Sequence, residues 1–311
     1  MEIHFAPLQG HTEYAFRSIH NRIAGGIDCY YTPFLRLEKG SARNKDVRDI
    51  RQENNVGVPV VPQLIAADAD EFNRLSDLIQ QNGWTRADLN LGCSFPMQTK
   101  LGRGAGVLSH PDRVEALMNE IAKRPDMSYS VKMRLGMEQS TEWQDLIQIL
   151  NESRLCQITM HPRTGRQDFK GVADIEDFAK FHAQCTKPLI YNGDLTELEQ
   201  IRVVAERFPD LKGIMIGRGL LARPTLAKEY RLIEQGSTDV PYSDAQVLKT
   251  IKEMHSAWYE HCLNTYQGDH QVLPHLKDFW YYMDTLLPKK VYKAIMKSTS
   301  INTYRAAASA V

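Results

Sequence analysis

The stretch Tyr129-Ser130-Val131-Lys132-Met133-Arg134-Leu135 decides the fold. Successive side chains of a strand point to opposite faces, so Val131, Met133 and Leu135 share one side and Lys132 and Arg134 the other. The apolar side suits packing beneath helices, which turns both cations toward an interior. A lysine there is costly unless an anion meets it, either an internal salt bridge or a ligand. The run Cys156–His161 repeats the arrangement, with Ile158 and Met160 outward and Thr159, His161 and Arg163 inward.

Six more apolar runs share this character: Ile3–Ala6, Ile27–Tyr31, Val58–Ile65, Ala87–Leu91, Pro188–Tyr191 and Gly213–Ile216. Amphipathic stretches alternate with them, among them Glu71–Asn82, Pro111–Lys123, Thr141–Ser153 and Leu195–Phe208. Asp112 and Asp194 stand where helix caps or first-turn acids belong. Eight strand–helix alternations predict an α/β fold, a (β/α)8 TIM barrel. A doubly wound sheet is the alternative, but no Gly-x-Gly-x-x-Gly follows the first strand. After about residue 236 the strand signals stop. Ala245–His261 and Leu276–Leu286 read as helices joined by the polar stretch Asn264–Gln271. The expected organisation is a barrel domain over residues 1–238 and a small all-helical C-terminal domain over 239–311.

Composition narrows the class. Hydrophobic residues at 42% and charged residues at 24% describe an ordinary globular protein. No apolar run approaches the ~20 residues of a membrane helix, and Met1–Phe5 lacks the features of a signal peptide. A cytoplasmic protein, away from membranes, is expected. Five scattered cysteines without a Cys-x-x-Cys pair argue against a disulfide framework or a metal site. Lys and Arg number 38, as do Asp and Glu, which argues against a surface coated for nonspecific nucleic-acid binding. A local patch remains open: Lys289, Lys290, Lys293, Lys297 and Arg305 follow Pro288 with no acid among them. A solvated helix face would explain them equally well.

Functional groups of such barrels collect at the C-terminal strand ends, and here those ends are polar and glycine-rich. They read Ala6-Pro7-Leu8-Gln9-Gly10, Thr32-Pro33-Phe34, Gln63, Asn90-Leu91-Gly92-Cys93, Lys132-Met133-Arg134, His161-Pro162-Arg163-Thr164, Asn192-Gly193-Asp194 and Gly217-Arg218-Gly219. The last two follow the seventh and eighth strands, where barrels often bind phosphate through backbone N–H groups and a cation. A phosphorylated ligand is expected there.

These motifs, in order, resemble the tRNA-dihydrouridine synthase family, above all Asp88–Cys93 running into Gly102–Leu108, and Val131–Gly136. Val61–Leu64 and Met215–Gly219 complete the set. Thr32–Arg36 and His275-Leu276-Lys277 look closest to the bacterial C subfamily, which modifies D-loop position 16. The resemblance implies FMN as cofactor, NADPH as reductant and tRNA as partner. It implies that Pro7, Leu8, Gln63, Lys132 and His161 hold the flavin ring. Asn192, Gly193, Asp194, Gly217 and Arg218 would hold its phosphate. Asn90, Arg134 and Phe169 would meet the substrate, and His275 and Lys277 the tRNA. Hydride would pass from flavin N5 to uracil C6 and a proton from Cys93 to C5. An ordinary thiol is protonated at neutral pH and can serve as that acid. The protein is expected to act as a monomer without metal.

Four positions depart from the family pattern: Ser94 for a proline, Met97 for a basic residue, Pro162 for a glycine and Pro33 for a glutamate. Two other functions stay open: an FMN-dependent dehydrogenase of a small pyrimidine, and a non-catalytic tRNA-binding flavoprotein. Trp258, Trp280, Tyr281 and Tyr282 supply the C-terminal aromatics, for RNA contact or, more simply, for helix packing.

Overall fold

The computed structural model describes the whole chain, Met1–Val311. All eight expected runs are parallel strands: β1 (Glu2–Phe5), β2 (Cys29–Tyr31), β3 (Val60–Val61 and Gln63–Leu64), β4 (Arg86–Leu91), β5 (Ser128–Gly136), β6 (Gln157–Thr164), β7 (Leu189–Tyr191) and β8 (Gly213–Ile216). Each pairs with its neighbours in sequence, and β1 also pairs with β8. The ring closes at Pro62, which splits β3 into two halves. Val60–Val61 pairs with β2 and Gln63–Leu64 with β4. Proline has no N–H to donate, but its carbonyl accepts from Asp88 N at 2.9 Å.

The inside–outside reading of β5 and β6 holds. Val131, Met133, Leu135, Ile158 and Met160 are buried in the main core of 68 residues, between sheet and helices. Ala6, Cys29, Tyr31, Val61, Ile190 and Met215 form a separate apolar cluster. These fall on the inward face, as a plug within the barrel. Toward the N-terminal strand ends the filling turns polar: Gln157 Nε2 donates to the Tyr31 hydroxyl at 2.8 Å, and His4 Nδ1 lies 3.1 Å from it.

Some helices differ from expectation. Thr141–Ser153 splits into a 3-10 turn, Glu142–Asp145, and a short helix, Ile147–Glu152. Asp112 occupies a first helical turn as expected. Asp194 does not: the next helix, Leu198–Arg207, is capped by Glu197 and Gln200. The C-terminal region has four helices, Asp244–Thr265, Asp269–Trp280, Lys289–Lys297 and Ile301–Ala308. The second of these was expected at Leu276–Leu286. Gly268, at φ 71°, breaks the chain just before Asp269, and the polar run Asp269–Gln271 with the internal Pro274 hides the helix in the sequence.

The core runs through the architectural change near residue 238. Phe16, on the first barrel helix, Tyr14–Ile23, meets Trp258 at 6.1 Å and Phe279 at 6.4 Å. Trp258 is buried and donates its indole N–H to the His275 carbonyl at 3.0 Å. Trp258→Ala should therefore lower unfolding stability by about 3–5 kcal/mol, with the barrel and helical signals shifting together in urea denaturation. Two separate transitions would show that the regions fold independently.

Candidate active site

A cleft of about 1050 Å³ opens at the C-terminal strand ends. Every strand contributes to it: Ala6, Pro33, Gln63, Asn90, Lys132, His161, Asn192 and Gly217 line it in chain order. Nine Lys and Arg side chains line it against two carboxylates, Asp168 and Asp194. A protein of zero formal net charge thus concentrates positive potential at one mouth.

Lys132 lies at the heart of this charge. No carboxylate comes within 4.0 Å of its ammonium, and it has no hydrogen-bond partner in the chain. Burial, with Arg134 adding repulsion, brings its pKa down to about 8, while Asp88 and Cys93 favour the charged form. The internal salt bridge considered for this lysine is therefore not formed.

The neighbouring arginines are engaged. Arg134 is buried and ties three segments together, donating to the carbonyls of Gly92, Thr164 and Asp168 at 2.8, 2.8 and 2.7 Å. Arg163 donates to Asp194 Oδ2 at 2.6 Å and to His161 Nε2 at 3.1 Å. Because an arginine only donates, that ring nitrogen accepts and the His161 proton belongs on Nδ1. Burial first, then Lys132 and the arginines, hold His161 well below its ordinary pKa, so the ring is neutral.

Cys93 stands on the loop after β4. Its amide and that of Gly92 donate to Asn90 Oδ1 at 2.8 and 3.0 Å, and Asn90 Nδ2 donates to Gln63 Oε1 at 2.8 Å. From the other side Ala105 N donates to the Cys93 carbonyl at 2.9 Å. Gly104 makes that approach possible: it has φ 58°, and an added Cβ would lie 2.6 Å from the same carbonyl. Arg103 braces this return segment with a two-pronged ion pair to Glu71. Burial pushes the Cys93 thiol up, opposed by the Phe95 backbone N–H and Arg134.

At the other end of the cleft Asp194 takes a left-handed conformation, φ 45°. Its carboxylate accepts from Arg163, from Ala173 N at 2.8 Å and from Arg218 Nη2 at 3.1 Å. The backbone N–H groups of Gly193, Asp194 and Gly217 find no acceptor in the chain. Arg218 lies 4.8 Å over the Phe169 ring and Arg134 lies 5.6 Å from it, leaving Phe169 half exposed on the cleft wall.

A family model described as dihydrouridine synthase (Dus) matches residues 4–309. The chain belongs to the dihydrouridine synthase family. It is 27% identical to the tRNA-dihydrouridine(16) synthase of Neisseria meningitidis serogroup B over 88% of this chain and 83% of that one. It is 27% identical to the protein of that name from Pseudomonas syringae pv. tomato, over 85% and 84%. The tRNA-dihydrouridine synthase B of Pasteurella multocida is 26% identical, over 81% and 77%. Among solved structures, histamine dehydrogenase from Rhizobium sp. 4-9 aligns with a TM-score of 0.55 at 12% identity, covering 82% of this chain and 49% of that one. Morphinone reductase in complex with tetrahydroNAD aligns at 0.52 and 9%, covering 74% and 86%. These two likenesses establish the barrel fold.

In this dihydrouridine synthase the cleft unites Pro7, Leu8, Gln63, Asn90, Cys93, Lys132, Arg134, His161, Phe169, Asn192, Gly193, Asp194, Gly217 and Arg218. His275 and Lys277 lie outside it, inside the helical region. His275 stacks on Tyr266 at 4.0 Å, and Lys277 donates to the Ser298 carbonyl at the end of the helix Lys289–Lys297. Of the C-terminal aromatics, Trp258 and Trp280 are core, whereas Tyr282 reaches the cleft and Tyr281 is exposed beside it. Four features carry no sequence signal of their own: His11 against Tyr281 and Tyr282, and the rim cations Arg36, Lys45 and Lys100.

The departures have local consequences. Ser94 Oγ donates to Asp168 Oδ1 at 2.6 Å, a bond that proline could not make. Met97 is exposed, and the Pro162 carbonyl accepts from Asp174 N at 2.8 Å. Pro33 lines the cleft. No helix is long and apolar enough to cross a membrane.

The raised Cys93 thiol gives a direct expectation. Its alkylation by iodoacetamide, mapped by mass spectrometry, should still be accelerating beyond pH 9, because the thiolate fraction is displaced upward. A rate that levels off by pH 8.5 would show that burial does not hold the proton.

Proposed function

We propose that this family member reduces the C5–C6 bond of a D-loop uridine in tRNA, at position 16, using FMN and NADPH, with Cys93 as the proton donor. The observation that carries the reading is the unpaired Lys132, set inside a cationic cleft whose mouth holds a protonated thiol. The site fits a flavin mononucleotide on its own chemistry. Lys132 lacks an anion, and three free backbone donors beside Arg218 suit a phosphate.

Bound FMN supplies the hydride that the C6 carbon accepts. The backbone at Pro7 and Leu8, with Gln63, Lys132 and His161, holds its ring. Lys132 favours negative charge there, and neutral His161 offers an N–H without adding another cation. Asn192, Gly193, Gly217, Arg218 and the Asp194 amide hold the phosphate. The Asp194 carboxylate meanwhile tethers Arg218. Cys93 delivers the proton to C5. Asn90 fixes the height of the Cys93 loop and faces the base beside it. Arg134 braces that loop, and Phe169 offers a ring face for a base drawn out of its stack.

The helical region meets the rest of the tRNA. Lys289, Lys290, Lys293, Lys297 and Arg305 are all exposed and all without an acidic partner, as phosphate contacts require. His275 and Lys277, both half-exposed, contact the tRNA as well, and Lys277 also holds the end of the helix Lys289–Lys297. The helical region also brings Tyr282 to the cleft, which a dehydrogenase of a small free pyrimidine would not need.

Purified protein with FMN, NADPH and dihydrouridine-free tRNA should form dihydrouridine at a single D-loop position. Cys93→Ala should slow product formation about 10²–10⁴-fold, the usual worth of a positioned acid. No product from flavin-loaded protein, on tRNA that serves another synthase, would overturn the reading. The pH profile offers a second check. Lys132 is a cation below about 8 and neutral above it, so turnover should fall as pH rises through that value. Lys132→Arg should move the fall to higher pH, and an unmoved limb would assign it to another group.

A further inference from the structure

One carboxylate beneath the cleft is absent from the roles above. Asp88 is fully buried in β4, one inward position below Asn90. Its Oδ2 accepts from Gln63 Nε2 at 2.7 Å and its Oδ1 from Ser130 Oγ at 2.6 Å. Gln63 in turn accepts from Asn90, and Asn90 accepts from the Gly92 and Cys93 amides. The bonds run in single file from the reactive loop down to the carboxylate.

We propose that Asp88 is a positioning residue that sets the direction of this hydrogen-bond chain and thereby holds the Cys93 loop at its working height. The inference rests on the assignment of Cys93 as proton donor. Its logic is one of polarity. A side-chain amide is nearly symmetric in shape but not in hydrogen bonding: one end donates and the other accepts. Two amides in series can therefore point either way. The backbone N–H groups of Gly92 and Cys93 only donate, so Asn90 must present its oxygen to them. Asn90 then presents its NH2 to Gln63, and Gln63 its own NH2 to whatever lies beneath. Only an acceptor can end the chain, and an ionised carboxylate is acceptor-only. With a donor or an apolar group there, Gln63 loses its orientation, Asn90 is free to turn, and the Cys93 amide faces a loss of its acceptor, one of the costlier defects in a buried site.

The position is also an expensive one for a carboxylate. Burial raises Asp88 to about 6 even though Ser130, Gln63 and Lys132 all favour its charge. A residue present only to fill the barrel would be apolar at lower cost.

The test compares Asp88→Leu, of similar size without an acceptor, with Asp88→Asn. The asparagine can keep its oxygen toward Gln63, because the Ser130 hydroxyl can turn to accept from the new NH2. In flavin-free protein, iodoacetamide labelling is mapped at Cys93, with buried Cys262 reporting any general loosening. Asp88→Leu should label Cys93 about 10-fold faster, the effect of losing roughly one buried hydrogen bond, while Cys262 keeps its rate. Asp88→Asn should stay within about twofold of the parent. With FMN bound, oxidation of the reduced flavin by tRNA should slow by about 10²-fold in Asp88→Leu, the scale of a misplaced reacting group. Its reduction by NADPH, which does not use Cys93, should change far less. Gln63→Met breaks the same chain one link higher and, if Asp88→Leu does not fold, is read by the Cys93 labelling of flavin-free protein alone, because Gln63 also lies against the flavin. Unchanged Cys93 labelling in a folded variant would overturn the proposal, as would acceleration of Cys262 together with Cys93. If the parent protein made no dihydrouridine, the proton-donor assignment would fall, yet the labelling would still decide whether Asp88 holds the loop.

Discussion

A cation enclosed by a parallel barrel without an anion to meet it is the constraint on which the rest of the site depends. The alternation of β5 turns Lys132 inward, and closure of the ring prevents it from turning out to water. Burial weakens its charge, and the neighbouring Arg134 weakens it further. Below it lie the apolar plug of Ala6, Cys29, Tyr31, Val61, Ile190 and Met215 and the buried Asp88, whose charge favours the ammonium but whose oxygens accept from Gln63 and Ser130. The ammonium thus lines the cleft without a direct partner in the chain.

The arginines around Lys132 show the contrast. Arg134 spends its donors on three carbonyls from separate segments, Arg163 joins Asp194 and His161, and Arg103 joins Glu71. Each acts as a fork that fixes loops through several bonds at once. Lysine, a point charge on a flexible stem, is the residue left unpaired. The loops braced by arginine are those that present Cys93, Phe169 and the free amides of Gly193 and Gly217. A rigid rim therefore surrounds a lysine free to answer a ligand.

The helical region completes this arrangement through packing. Phe16 lodges between Trp258 and Phe279, so the helices are seated on the barrel by a shared core. That seat brings Tyr282 to the cleft. A chain with no net charge has a cationic cleft because basic groups are gathered there while acids elsewhere form pairs such as Arg202 with Glu199 and Arg207 with Glu176.

By itself the sequence determined the barrel, the inward and outward faces of β5 and β6, and the polar residues at all eight strand ends. These follow from a period of two and from glycine and polar signals at fixed places along a strand, both of which are local. The family-bearing motifs are local too, which made the cleft residues legible. Tertiary structure alone decided whether Lys132 was paired, because a partner could have come from any strand. It alone showed that Asp194 orients Arg218 rather than capping a helix, that His275 stacks on Tyr266 and that Lys277 meets the Ser298 carbonyl. The helix Asp269–Trp280 was expected later in the chain, at Leu276–Leu286, because its polar start and Pro274 mask a period that burial against Phe16 reveals. The direction of the chain from Asp88 to Cys93 also belongs to the fold, since its hydrogen-bond polarity exists only once Gln63 of β3 has met β4.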